Sequence, residues 1–99
     1  MEPISGSLNP YEWSSEGAVA YEAAVEAINA VVGAYIARIA QEEQRPEGER
    51  NASAIATWRQ QRNACQRERE ALDAGDAGAV AEVRRQYARR LREVRGGDA

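Results

Sequence analysis

The sequence contains no histidine, no lysine and no phenylalanine, and a single cysteine, Cys65. Without histidine, the commonest zinc ligand and the commonest general base are both missing, so neither a metal centre nor ordinary acid–base catalysis is expected. One cysteine excludes an internal disulfide and points to a reducing compartment. With no imidazole to activate it, Cys65 is expected to be a small buried hydrophobe rather than a nucleophile. Residues 1–6 have neither a basic region nor an apolar run. The longest uninterrupted apolar stretch, residues 30–37 including Gly33, falls well short of the roughly 20 residues a membrane helix needs. The expectation is a cytoplasmic, non-enzymatic protein that needs no cofactor and meets no membrane.

What is present is helical. Twenty of the 99 residues are alanine, and all thirteen basic residues are arginine, a pairing typical of GC-rich genomes. Alanine favours helix but buries little area, so Trp13, Trp58 and the tyrosines at 11, 21, 35 and 87 must carry a large share of the packing. A chain of this length suits one domain burying roughly 60–65% of its unfolded surface.

The organising stretch is residues 21–39, where Tyr21, Val25, Ile28, Val32, Tyr35 and Ile39 alternate steps of four and three, one stripe of a helix. Val31 and Ile36 flank the stripe, and alanines fill most of the remaining circumference. A helix this apolar needs cover on more than one side, which makes it the rod on which later helices fold, with apolar surface left for a second chain. Upstream, residues 1–8 read as a tail. Asn9 is placed to cap a helix, with Pro10 at its first position, Glu12 closing a capping box and Leu8 stapled on Trp13. Ser14, Ser15 and Gly17 are poor interior residues, and a short helical turn or a kink is predicted there.

Pro46 and Gly48 should end the rod near Gln44. A second helix is predicted over about 52–73, capped by Asn51 or Ser53, with Ile55, Trp58, Cys65 and Leu72 on one stripe. In the turn Asp73-Ala74-Gly75-Asp76, Gly75 is expected to take a left-handed conformation and Asp76 to cap the next helix. The third helix spans about 77–95, with Val80, Val83, Tyr87, Leu91 and Val94 inward, and residues 96–99 fray. Short connections favour antiparallel neighbours, giving an all-α, three-helix antiparallel bundle with a long, kinked first helix, in one domain over 9–95.

Charge is unevenly distributed. Residues 1–44 hold seven acids and one arginine, whereas residues 45–99 hold nine acids and twelve arginines. The acidic half suits either the chain's own basic helices or a partner of opposite sign. Arg62 and Arg69 lie two turns apart on the otherwise apolar stripe of the second helix. They read either as a fork for a carboxylate or phosphate, or as edge residues that snorkel or pair with Glu22 and Glu26. The arginines of the third helix form a patch interrupted by Glu82 and Glu93, without a reading motif, so nucleic acid is not expected. Tyr11, Glu12, Trp13 and Glu16 place aromatics and acids within two turns, the composition of an arm that plugs a basic pocket, or a helix start stapled by Trp13.

In size, helix order and the arm at residues 11–16, the chain resembles the epsilon-family antitoxins that restrain zeta-type kinase toxins. That resemblance implies an inhibitor of a partner enzyme, with Glu12 and Trp13 as candidates to obstruct a nucleotide site. The partner-binding residues expected are thus Tyr11, Glu12, Trp13, Glu16, Arg62 and Arg69. The alternative is a homo-oligomer built on the spare face of the rod. An enzymatic reading survives only as a chorismate-type helical mutase, with Arg38, Arg62 and Arg69 gathered on a carboxylate.

Overall fold

The computed structural model describes the backbone of residues 10–96 and the side chains of residues 16–96. The expected tail, the Asn9 cap and the contacts of Leu8 and Trp13 lie outside these limits. Three helices follow one another: α1 (Pro10–Glu43), α2 (Ala52–Ala71) and α3 (Ala77–Val94), with a single 3-10 turn at Glu47–Glu49. No strand occurs among the described residues. The molecule is an all-α three-helix bundle with a long first helix.

Helix α1 passes without interruption through residues 14–17, so no separate short helical turn forms at Ser14, Ser15 and Gly17. An exposed glycine or serine costs at most about 1 kcal/mol in a helix. That is too little to interrupt a rod anchored by burial further along.

The α1–α2 turn is stitched from both sides. The Glu42 carboxylate accepts the backbone N–H of Asn51 at 2.9 Å and the Arg45 guanidinium at 3.0 Å. The Asn51 bond, with Arg45, holds the Glu42 carboxyl below its ordinary value of 4.5. Asn51 in turn caps α2 by accepting from Ala54 N–H at 3.0 Å, and Arg59 bridges back to Glu43 at 2.5 Å.

At the α2–α3 turn, Asp76 caps α3 as expected, accepting from Ala79 N–H at 3.0 Å. The Gly75 expectation is corrected. Extended Leu72 ends α2, the Asp73 carboxylate closes a local turn onto Gly75 N–H at 2.9 Å, and Gly75 needs no positive φ. The left-handed glycine is instead Gly96, at φ 78°, just beyond α3.

A Cβ at Gly96 would lie 2.8 Å from Arg38 Nη2, and left-handed backbone disfavours any side chain. Gly96→Ala is therefore expected to cost about 1 kcal/mol, read as a fall of roughly 4–8 °C in melting temperature by circular dichroism. An unchanged melting temperature would mean that this end of α3 frays freely.

The polar ties give the topology. Glu43–Arg59 and Asn29–Arg69 set α1 antiparallel to α2, Glu68–Tyr87 and Gln61–Arg90 set α2 antiparallel to α3, and Tyr35–Arg90 leaves α3 parallel to α1. Both α2 and α3 pack extensively on α1 and only weakly on each other. The rod is the hub of the core, as its composition requires. Ala24, Ile28, Val31, Val32 and Tyr35 of α1 are buried with Cys65 of α2 and with Val80, Val83 and Tyr87 of α3. Ile39 and Ile55 are buried nearer the α1–α2 turn.

Candidate functional site

Two regions of this scaffold are chemically distinctive. The first is the side of α1 turned away from its partners. At a rise of 1.5 Å per residue α1 is about 51 Å long, against about 30 Å for α2 and 27 Å for α3. The shorter helices do not cover the first described side chains of α1: Glu16, Gly17, Ala18 and Val19 are exposed. Further along, the exposed face carries Glu22, Glu26 and Asn29, the last bonded to Arg69 of α2, and is uncharged from there to Ala40. Gly33, Ile36, Ala37 and Ala40 follow one another along it. Val19 is 66% exposed and Ile36 49%, the two large hydrophobic side chains most open to solvent among the described residues.

Over the segment Glu16–Glu43 an 18-residue window reaches a mean hydropathy of 1.4, a membrane-span value attained without an unbroken apolar run, and 33% of that window is buried in the bundle. The buried part is the core stripe. The exposed remainder, Gly33, Ile36, Ala37 and Ala40, is what the bundle itself does not use.

The second region is an open cavity of about 350 Å³ where the C-terminal parts of α1 and α3 meet the middle of α2. The Arg38 guanidinium lies over the Trp58 ring, 5.8 Å from its centroid. Arg90 is held between two tyrosines, 5.9 Å from the Tyr35 centroid and 5.4 Å from that of Tyr87. Its Nη2 donates to Gln61 Oε1 at 2.8 Å and reaches the Tyr35 hydroxyl at 3.5 Å. Partial burial opposes the charge on Arg90, but its tyrosine and Cys65 surroundings outweigh that and raise its pKa above the ordinary arginine value. Thr57 and Glu93 complete the polar rim. Below it, Tyr87 donates to Glu68, and burial, reinforced by that bond and by Cys65, pushes its hydroxyl well above the ordinary phenol value.

The residues expected from sequence are distributed differently. Tyr11, Glu12 and Trp13 fall on the helical backbone of α1, with side chains outside the described set, and Glu16 is exposed. Arg62 and Arg69 do not form a fork. Arg62 folds along α2 onto Asn63 Oδ1, with both bonds at 3.2 Å, while Arg69 crosses to Asn29 on α1. Neither pairs with Glu22 or Glu26, because Asn29 reaches Arg69 first and the two glutamates point to solvent.

Nor are Arg38, Arg62 and Arg69 gathered on one site. Arg38 shares its cavity with Arg90, which sequence reasoning left out. The signal was available: Arg90 stands three residues after Tyr87 and four before Val94, on the inward stripe of α3 rather than with the outward arginines. No known family model, no characterised protein and no solved structure matches the chain.

Proposed function

We propose that this chain is a small helical protein-binding module that docks a helical segment of a partner on the open face of α1. The observation that carries the reading is the uncharged exposed strip of Gly33, Ile36, Ala37 and Ala40. A glycine inside a helix costs up to about 1 kcal/mol relative to alanine, yet a methyl group added at Gly33 would meet nothing within 4 Å in the chain's own fold. Small side chains on a helix surface let a second helix approach closely. Glu22 and Glu26 at one end of the strip, and Glu16 beyond them, favour a partner with basic residues there. In its specific form the proposal is antitoxin-type inhibition, in which the arm at Tyr11, Glu12, Trp13 and Glu16 enters and blocks a partner enzyme in the cytoplasm.

The test is site-specific photo-cross-linking in the native host. A cross-linker at position 36 should trap a discrete partner, whereas one at exposed Ala88 on the outer side of α3 should trap none. Equal trapping from both positions, or none from position 36, would refute the docking face.

The same strip favours a second reading, a homo-oligomer in which two copies of α1 pack together. Antiparallel packing would keep Glu22 and Glu26 of one copy away from those of the other. Sedimentation at micromolar concentration separates the readings, since a monomer rules out the homo-oligomer and leaves the partner.

A further inference from the structure

The cavity between Arg38 and Arg90 is independent of the docking face, and its chemistry differs. Two guanidinium groups line one space of about 350 Å³ with a single carboxylate, Glu93, at the rim. Like charges brought to one cavity repel, and each is held there by an aromatic ring rather than by an ion pair: Arg38 by Trp58, Arg90 by Tyr35 and Tyr87. Arg90 spends only Nη2 on neighbours among the described residues, Gln61 and the Tyr35 hydroxyl, which leaves its Nε and Nη1 donors for a ligand. Arginines that merely snorkel spread into solvent. These two instead line the same volume, each within cation–π range of an aromatic ring, and that volume falls in the size range of small-molecule sites.

We infer that this cavity binds a small organic oxyanion, a carboxylate or phosphate on a compact planar body. Arg38 and Arg90 are the charge partners, the Thr57 hydroxyl is an added donor and the Trp58 indole is an apolar wall. A planar fork of donors matches either oxyanion, and a flat body suits the aromatic lining. Occupation would neutralise the excess positive charge in the cavity and tie α1, α2 and α3 together at one point.

Full-length protein carrying Trp13→Phe leaves Trp58 as the sole tryptophan reporter. Its fluorescence is followed during separate titrations with benzoate, phenyl phosphate and inorganic phosphate at constant ionic strength. A saturable change is expected with benzoate or phenyl phosphate, and the preferred one identifies the anion. Arg38→Gln and Arg90→Gln should each weaken it at least about tenfold, while Arg62→Gln, whose guanidinium lies against Asn63 outside the cavity, should not. Circular dichroism establishes that each variant is folded, and if Arg90→Gln does not fold, Arg38→Gln decides. No saturable change with any probe, or equal loss in Arg62→Gln, overturns the site. Equal affinity for inorganic phosphate and phenyl phosphate overturns the planar body.

Discussion

Replacing Tyr87 by alanine is expected to lower stability by about 3–5 kcal/mol, a fall of roughly 15–30 °C in melting temperature for a domain of this size. Tyr87 is 1% exposed and sits in the core cluster with Ile28, Val31 and Val83. Its ring also supports Arg90, and its hydroxyl joins α3 to Glu68 of α2, two helices that otherwise touch little. Alanine would leave a cavity under all three helices, release Arg90 and remove the tie to Glu68. Tyr87→Phe keeps the ring and loses only the hydrogen bond, so it should cost about 1 kcal/mol.

Loss of the Tyr87 hydroxyl, common to both variants, also has a consequence for alkaline stability. Burial raises the Tyr87 pKa above its ordinary value of 10.0. The neutral hydroxyl therefore contributes stability that is present below pH 10 and lost as pH rises beyond it, when the unfolded chain ionises first. Wild-type protein should lose stability above pH 10 along a slope that Tyr87→Phe flattens. Thermal melts at pH 8, 10 and 11 measure both effects. A Tyr87→Ala melt within a few degrees of wild type would mean that the core is not centred on this ring.

The rod was legible in the sequence because its stripe obeys one period. Ile28, Val32, Tyr35 and Ile39 are all buried, as that period requires. Val31, assigned a flanking place, is fully buried too, since two helices rather than one cover α1 and widen the apolar arc beyond a single stripe. Caps made by side chains were readable from local chemistry, as Asn51 and Asp76 show.

What local chemistry could not settle was competition between tertiary alternatives. Gly75 and Gly96 are both permissive residues at a helix end, but at the first extended Leu72 and the Asp73 carboxylate make the turn, and only Gly96 takes the positive φ. Glu22 and Glu26 were the partners expected for Arg69, and only the relative rotation of α1 and α2 gives it Asn29 instead, about one turn beyond Glu26. The cavity was hidden for the same reason. Arg38 and Arg90 are far apart in sequence and meet because α3 runs parallel to α1, a consequence of two turns rather than of any motif.

Deleting residues 1–16 is expected to leave the bundle standing and to reduce binding of the partner trapped at position 36 by at least about a hundredfold. Stability should change little, because among the described residues the first fully buried one is Ala24, and the core contacts described nearest the N-terminus, at Ala20 and Tyr21, remain after the cut. Shortening α1 by its first seven residues, about two turns, is expected to cost little while that core stays whole. Binding should suffer far more. The deletion removes Tyr11 and Trp13, residue types that contribute 2 kcal/mol or more each where they are buried at an interface, together with Glu12 and Glu16. It also separates the roles of arm and strip, since the truncated chain keeps Gly33, Ile36 and Ala40 intact. Isothermal titration of the recovered partner against full-length and truncated protein gives the ratio. If the truncated chain binds and inhibits as well as the whole, the strip alone is the interface and the proposed blocking role of Glu12 and Trp13 is wrong.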